Sequence, residues 1–305
     1  MLAAVVKILA TRRYPGPAFD QLEDVEVAPL SSLESPRDDV EGLIVANEPV
    51  PLELLQRLRI VANFGVGYDR IDLAACAARG IVVTNTPGVL DNATADLTFA
   101  LILAARRQVV EGDRLVRSGG WSGQWSEGTL AEEVNGSTLG ILGLGRIGSA
   151  VARRARGFEL RVLYNSRQRA VTDLGEFREL DALFEESDIV TIHAPLTPKT
   201  AGLVDGRLLA LLRDGACLVN TARGEIVDEP ALIRELVSGR LRAGLDVFAH
   251  EPSVPRELLD LPNVVLTPHL GSATRQTREA MTRLVVDNLL AVERGEPPLT
   301  PVRSF

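Results

Sequence analysis

The sequence is short of several features, and each shortage excludes a class of protein. Its 305 residues include two cysteines, Cys76 and Cys217, which are too few for a disulfide framework or a structural zinc site. Both lie in apolar stretches, as buried thiols usually do. Lysine is almost absent, represented by Lys7 and Lys199, and 33 basic against 41 acidic residues leave a net charge of −8. No overall positive field therefore favours nucleic acid or anionic lipid.

Long apolar runs are missing as well. The longest, such as residues 99–105, fall far short of the roughly 20 residues that cross a bilayer. The first ten residues lack the basic-then-apolar order of a secretory signal and fit a first strand better. We therefore expect a soluble, cytoplasmic protein that binds neither membrane nor nucleic acid and holds no metal.

What the sequence has is an alternation of short β-branched runs with helix-patterned segments, which predicts parallel sheets with helices on both faces. Strands are expected at residues 5–10, 25–27, 43–46, 60–63, 81–83, 139–142, 161–165, 189–193, 217–220, 243–247 and 264–267. Helices are expected at 52–58, 73–79, 93–117, 146–156 and 275–294. The predicted fold is α/β with two doubly wound parallel-sheet lobes: a Rossmann domain at 95–274, inserted into a flavodoxin-like domain made of 1–94 and 275–305.

A glycine-rich turn, Gly143-Leu-Gly145-Arg146-Ile147-Gly148, lies between the strand at 139–142 and the next helix. Gly143 allows the tight turn, Gly145 lets the backbone approach a pyrophosphate, and Gly148 lets the helix pack against the strand. The start of the helix adds unpaired N–H groups and a partial positive charge. A dinucleotide site is therefore favoured over a purely structural turn.

The residues after the next strand bear on which dinucleotide is bound. A carboxylate there binds the adenosine ribose 2′-hydroxyl of NAD, whereas an arginine accommodates the 2′-phosphate of NADP. This strand ends in Asn165, Ser166 and Arg167, with Arg169 nearby and no acidic residue. NADP is favoured, with NAD as the alternative; an ordinary solvated loop would have the same composition.

Three polar residues follow three later strands of the second lobe: Arg223, Glu251 and His269. The carboxyl ends of parallel strands share one edge of a sheet, and open α/β sheets bind ligands at that edge. Each residue alone is more often structural. Together they predict an acid–base centre with an anion clamp beside the dinucleotide.

Seven short motifs follow one another along the chain: Gly65-Val-Gly-Tyr-Asp69, Asn85-Thr-Pro-Gly-Val89, the glycine turn, His193-Ala-Pro-Leu-Thr197, Asn220-Thr-Ala-Arg-Gly224, Asp246-Val-Phe with Glu251-Pro252, and Pro268-His-Leu-Gly271. In type and order they resemble the D-isomer-specific 2-hydroxyacid dehydrogenase family over nearly the whole chain. The Asn165–Arg167 segment and the Trp121 and Trp125 loop look most like the glyoxylate/hydroxypyruvate reductases of that family.

The resemblance implies hydride transfer from a nicotinamide to a 2-keto carbon. His269 would donate the proton to the carbonyl oxygen, since the ordinary pKa of histidine, about 6.5, lies near working pH. Glu251 would orient the imidazole and favour its charged form. Arg223 would bind the substrate's carboxylate and carbonyl oxygens. The backbone amides of Val66 and Gly67 would bind the carboxylate, unless their loop is only a tight turn.

The resemblance also implies the remaining contacts. Asp246 would hold the nicotinamide carboxamide, with capping of its strand end or an arginine partner as the alternative. His193 is interpreted as a strand-end residue lining the cofactor cleft rather than as an acid–base group, and His250 receives no role. Cofactor contacts are implied for Thr94, Arg146, Ile147, His193, Pro195, Thr200, Thr221, Ala222 and Gly271.

A homodimer is implied too, with the long helix after residue 93 at its interface. Trp121 and Trp125 are then either plain core or interface aromatics, or one of them enters the partner's active site.

The expected function is reduction of a small 2-keto acid, glyoxylate or hydroxypyruvate, to the D-2-hydroxy acid with NADPH. D-3-phosphoglycerate dehydrogenase activity without a regulatory domain is one alternative, although the segment at 47–51 is not basic as a phosphate would require. Formate dehydrogenases carry glutamine where this chain has Glu251, which counts against that activity. A non-catalytic NAD(P)-sensing protein retains similar motifs and stays an alternative.

Overall fold

The computed structural model describes residues 7–124 and 130–302. Within them the chain forms two compact units: the residues up to Leu90 together with those from Ser272 onward, and Asp91–Gly271. The first domain boundary, expected after residue 94, lies four residues beyond Leu90. The second, expected after residue 274, lies three residues beyond Gly271.

Each unit is built on one sheet, and every strand pair in both sheets is parallel. The strands of the first are β1 (Ile8–Ala10), β2 (Val25–Val27), β3 (Gly42–Val45), β4 (Ile60–Asn63) and β5 (Val82–Thr84). Those of the second are β6 (Thr138–Leu142), β7 (Arg161–Asn165), β8 (Glu176–Phe177), β9 (Ile189–Ile192), β10 (Cys217–Asn220), β11 (Arg242–Leu245) and β12 (Val264–Leu266).

The helices of the described residues are α1 (Leu73–Ala78), α2 (Asp91–Arg106), α3 (Val109–Arg117), α4 (Arg146–Ala155), α5 (Leu180–Glu186), α6 (Gly206–Leu211), α7 (Glu229–Val237), α8 (Arg256–Leu259) and α9 (Arg275–Glu293). Several begin at a side chain that accepts a backbone N–H of the first turn, which is the ordinary N-cap interaction. Asp72 does this for α1, Asp205 for α6, Asp228 for α7 and Thr274 for α9. No helix among these is long and apolar enough to cross a membrane.

The strand orders confirm the predicted fold class. The first sheet runs β2-β1-β3-β4-β5, which is the flavodoxin-like order. The second runs β8-β7-β6-β9-β10-β11-β12, which is the Rossmann order extended by one strand. The strand order of the second sheet reverses between β6 and β9, so a crevice opens there at the carboxyl ends of the strands.

Helix α2 lies against the second sheet, where it contacts β10, β11 and β12. Gly244 of β11 makes this close packing possible, because a Cβ there would lie 2.8 Å from Cβ of Leu101. The helix is thereby fixed at the strands whose ends carry the predicted site.

Two predicted helices were wrong. The single helix at 93–117 is two helices, α2 and α3, because Gln108 adopts a left-handed backbone with φ of 52° and interrupts the helical hydrogen bonds. The predicted helix at 52–58 is a three-residue turn of 3-10 type at Leu52–Leu54. Leu55 then turns to φ −120°, and carbonyl groups of this segment accept hydrogen bonds from the guanidinium of Arg79 instead of from a further helical turn.

Candidate active site

The glycine turn connects β6 to α4, and each of its three glycines occupies a different environment. Gly143 has φ of 101°, and a Cβ there would lie 2.7 Å from the backbone nitrogen of Ala194. A Cβ on Gly148 would collide with the carbonyl group of Gly143. At Gly145 a Cβ would meet nothing within 4 Å, and no side chain caps α4. The turn is therefore closely packed at Gly143 and Gly148 and open at Gly145, next to the backbone N–H groups of the first turn of α4.

The end of β7 presents a polar loop. Asn165 Nδ2 donates to the carbonyl of Arg178 over 2.8 Å, and Ser166 Oγ donates to the carbonyl of Gln168 over 2.6 Å. Arg169 lies over the ring of Phe177, 5.6 Å from its centroid. Arg167 is exposed and forms no hydrogen bond or ion pair with a described residue. Among the residues predicted to read the ribose substituent, Arg167 is thus the one available for a ligand.

His193 follows β9, directly across the crevice from the glycine turn, and its N–H donates to the carbonyl of Leu142 over 2.8 Å. Both ring nitrogens are buried and have no hydrogen-bond partner among the described residues. Burial lowers the pKa of His193 to about 3, so the ring is neutral. A buried polar group without a partner costs free energy and is rare in native proteins, so the ring nitrogens of His193 are candidates for contact with a ligand.

Other predicted cofactor residues are engaged in local structure. Thr200 Oγ1 donates to the carbonyl of Pro195 over 2.6 Å and so closes the turn that follows His193. Thr221 and Thr98 share a buried hydroxyl hydrogen bond of 3.1 Å, and Thr98 also bonds the carbonyl of Thr94. The bond between Thr98 and Thr221 connects α2 to the end of β10.

Arg223 is positioned by the turn after β10. Asn220 folds this turn, since its Oδ1 accepts the N–H of Ala222 and its Nδ2 donates to the carbonyl of Arg223 over 2.7 Å. Gly224 brings the turn against the segment after β11, because a Cβ on it would collide with the backbone between Phe248 and Ala249. Asn220 is a positioning residue to which the sequence analysis assigned no role; its place at a buried strand end was the available signal.

Glu251 and His269 are in contact: Glu251 Oε2 lies 2.8 Å from His269 Nδ1. Glu251 Oε1 also accepts the N–H of Phe248 over 3.2 Å. Burial raises the pKa of Glu251, but the hydrogen bond and charge of His269, the Phe248 N–H and the charge of Arg223 outweigh it, and the net pKa is lowered. Predicted residues from two strand ends are thus in contact, and the charge of Arg223, from a third strand end, acts on the same carboxylate.

Asp246 lies at the end of β11 and is completely buried. Its Oδ1 accepts from Thr267 Oγ1 at 2.6 Å and from the N–H of Leu270 at 2.7 Å, and its Oδ2 accepts the N–H of Gly271 at 2.8 Å. Burial raises the pKa of Asp246, and these hydrogen bonds with the charge of His269 oppose the rise. The carboxylate therefore grips the loop that carries His269.

The Gly65–Gly67 loop belongs to the first unit, and buried or half-buried amides tie its carbonyl groups. Asn63 Nδ2 donates to the carbonyls of Gly65 and Gly67 at 3.1 and 2.8 Å, and Asn85 Nδ2 donates to that of Val66 at 2.9 Å. Asn47 N–H in turn donates to Asn63 Oδ1 over 2.8 Å. The N–H groups of Val66 and Gly67 have no acceptor among the described residues, so the loop can present them to an anion.

The two tryptophans stand differently. Trp121 is 64% exposed, whereas Trp125 lies outside the described residues. Exposed apolar side chains nearby along the chain are Val109, Val116 and Leu130, at 55%, 59% and 57%.

The strand order of the second sheet, with a glycine turn after its first strand, defines a dinucleotide-binding protein. Comparison with known proteins gives the family. The family model described as "D-isomer specific 2-hydroxyacid dehydrogenase, NAD binding domain" matches residues 99–271. The chain is 48% identical to a glyoxylate reductase of Pyrococcus furiosus, with 98% of this chain and 95% of that protein covered, and 46% identical to one of Thermococcus kodakarensis, with 98% and 96% covered.

Solved structures agree. A crystal structure of an NADPH-dependent glyoxylate/hydroxypyruvate reductase from Sinorhizobium meliloti, in complex with NADP and malonate, has a TM-score of 0.91 at 35% identity, with 99% of this chain and all (100%) of that one covered. A protein from Thermus thermophilus has a TM-score of 0.91 at 43% identity, with 98% and 100% covered. The chain belongs to the D-isomer-specific 2-hydroxyacid dehydrogenase family. It is an oxidoreductase with a nicotinamide-dinucleotide domain, and the family expected from the sequence is confirmed.

Proposed function

We propose that this protein is a cytoplasmic reductase of a small 2-keto acid, glyoxylate or hydroxypyruvate, which it converts to the D-2-hydroxy acid with NADPH. The observation that carries the proposal is the 2.8 Å contact between Glu251 and His269 beside Arg223, at the sheet edge that also holds the glycine turn. The reductases among the similar proteins support the choice of substrate.

The residues present fit a nicotinamide dinucleotide. Gly145 leaves space above the turn where a pyrophosphate would approach the N–H groups at the start of α4, and Arg146 adds positive charge there. His193 offers two unpartnered ring nitrogens on the other side of the crevice. When bound, the nicotinamide would supply the hydride for the keto carbon.

His269 and the residues around it would donate the proton and bind the charged groups of the substrate. Glu251 bonds Nδ1, so Nε2 is the atom that can donate a proton to the carbonyl oxygen as it becomes an alkoxide. The carboxylate also fixes the ring's orientation and balances the charge of the imidazolium. Arg223 would hold the substrate's carboxylate and carbonyl oxygens through its planar fork of N–H donors.

Selection of NADPH would depend on the loop after β7. A carboxylate that would repel a 2′-phosphate is absent from 165–169, and Arg167 is free to bind one. Asn165 and Ser166 are occupied by their own loop and would contribute chiefly by shaping it.

A homodimer is part of the same proposal. Helix α3 and the segments after it expose Val109, Val116, Trp121 and Leu130, and burial of exposed apolar side chains favours association of subunits. Light scattering on the purified protein tests it, and a monomer at micromolar concentration would contradict it.

The function is tested by assaying glyoxylate, hydroxypyruvate, pyruvate and 3-phosphohydroxypyruvate, each with NADPH and NADH. We expect glyoxylate or hydroxypyruvate with NADPH to give the highest kcat/KM, and His269→Ala to lower it by about 10²-fold or more while NADPH still binds. His250→Ala is the matched control, because that histidine is exposed in a loop without a role. Preference for the phosphorylated acid would instead favour the phosphoglycerate dehydrogenase alternative, and binding of NADPH without turnover of any acid would favour a sensor.

A further inference from the structure

Asp246, for which a cofactor contact is expected, accepts several hydrogen bonds from the loop of His269. We propose that Asp246 and Thr267 act as positioning residues that hold the loop of His269 in a strained conformation and thereby keep the imidazole on Glu251. The inference rests on the proposed function insofar as His269 is the proton donor. It names the residues that make such a donor possible.

The first support is the number of hydrogen bonds that converge on one residue. The carboxylate accepts three hydrogen bonds from the loop, from Thr267 Oγ1, Leu270 N and Gly271 N, all between 2.6 and 2.8 Å. The backbone carbonyl of Asp246 accepts a fourth, from the N–H of His269 at 2.9 Å. Asp246 is itself fixed, since its N–H donates to the carbonyl of Asn220 over 3.0 Å.

The second support is the backbone of His269, which has φ of 53°. A side chain with a Cβ rarely adopts this left-handed region, and it persists only where surrounding contacts impose it. The hydrogen bonds to Asp246 involve the N–H groups of residues 269, 270 and 271 in succession. Together with the hydroxyl of Thr267 on the other side of His269, they hold the strained residue from both sides.

The third support is the space around the loop. Gly271 is buried, and a Cβ there would lie 3.4 Å from both Asp246 Oδ2 and Thr94 Cγ2. The carboxylate is completely buried and its two oxygens already accept three donors. Most of its hydrogen-bond acceptor sites are therefore occupied by groups of the protein. This favours a positioning role over a primary contact with the nicotinamide carboxamide.

Two variants separate the roles. Thr267→Val removes one donor to the carboxylate and leaves Asp246 intact for any cofactor contact. Asp246→Asn replaces an acceptor oxygen with an amide that faces backbone N–H groups. Thr191→Val is the matched control, because it makes the same substitution at a buried threonine whose hydroxyl has no partner among the described residues. For each variant we would measure keto-acid turnover, the Kd for NADPH, and hydrogen exchange of the peptide containing residues 267–271.

We expect Thr267→Val to lower kcat by about tenfold, as small misplacements of a reacting group do, to speed amide exchange at 269–271, and to leave the Kd for NADPH within about twofold. Asp246→Asn should lower kcat and speed amide exchange by more than Thr267→Val does, and Thr191→Val should change neither quantity. Unchanged kcat and exchange in Thr267→Val, with NADPH binding weakened in Asp246→Asn, would overturn the inference. If the native protein turns over no keto acid, the proposed function fails, and amide exchange in Thr267→Val then tests the inference by itself. Faster exchange at 269–271 would support the positioning role of Asp246 and Thr267, and unchanged exchange would refute it.

Discussion

Alanine substitutions at Gly145 and Gly148 should separate binding of the dinucleotide from stability of the fold. Both glycines belong to the same turn, but their surroundings differ. Gly145 has φ of −85° and ψ of −157°, an extended conformation that alanine adopts, and its Cβ would meet nothing within 4 Å. A Cβ at Gly148 would instead collide with the carbonyl of Gly143, which is backbone and cannot turn aside.

The magnitudes follow from these surroundings. Gly145→Ala should lower the free energy of unfolding by about 1 kcal/mol or less, because the methyl group meets no steric clash and the remaining cost is that alanine is a less favourable N-cap residue than glycine. The added methyl group would nevertheless occupy the space of the pyrophosphate, so we expect the Kd for NADPH to rise by about tenfold or more, equivalent to about 1.4 kcal/mol. Gly148→Ala should destabilise the fold by about 1–3 kcal/mol, as overpacking does.

Thermal unfolding without cofactor and fluorescence titration with NADPH measure the two quantities. Gly145→Ala should unfold near the temperature of the native protein and bind NADPH weakly, whereas Gly148→Ala should unfold several degrees lower. If Gly145→Ala bound NADPH as tightly as the native protein, the dinucleotide would not lie over this turn, and the proposed location of the cofactor would be wrong.

Three further outcomes are expected. Arg167→Ala should raise the KM for NADPH at least about tenfold and leave that for NADH nearly unchanged; an equal effect on both would remove Arg167 from recognition of the 2′-phosphate. Asn63→Ala should raise the KM for glyoxylate more than Asn263→Ala, which also removes two hydrogen bonds to backbone carbonyls but lies elsewhere; equal values would mean that the Gly65–Gly67 loop binds no carboxylate. His193 has a pKa lowered to about 3, so the unfolded chain binds the extra proton and stability without cofactor should fall by up to about 1.4 kcal/mol per pH unit between about 6.5 and 3. His193→Gln should remove that acid sensitivity and His250→Gln should not, as urea unfolding between pH 7 and 4.5 would show.

Much of the fold followed from the sequence because parallel α/β sheets have strong local signals. Buried strands such as Cys217–Asn220 are short apolar runs, and the helices that cover them repeat with helical periodicity. The helix predictions were wrong where the backbone of a single residue, or a side chain distant in the sequence, determined the local structure. A left-handed Gln108 divides one helix into two, and the guanidinium of Arg79 takes carbonyl groups that a helix at 52–58 would have needed. Periodicity carries neither signal.

The candidate site divides in the same way. The sequence indicated Arg223, Glu251 and His269 because each follows a strand, and the carboxyl ends of parallel strands share an edge. It placed Asn220 at a strand end but did not show that Asn220 folds the turn of Arg223, and it did not show that both nitrogens of His193 are buried without partners among the described residues. Those features depend on hydrogen bonds and packing between segments distant in the chain.

The amino-acid sequence by itself determined the family, the two parallel sheets and which polar residues reach the edge of the second one, because these depend on local patterns and on motif order. The tertiary structure alone decided how those residues are held: the 2.8 Å contact of Glu251 with His269, the left-handed backbone of His269, and the buried carboxylate of Asp246 that accepts three hydrogen bonds from the same loop. The physical reason is that a strained backbone and a buried charge are stable only when groups from several strands surround them, and that arrangement exists only after the chain has folded.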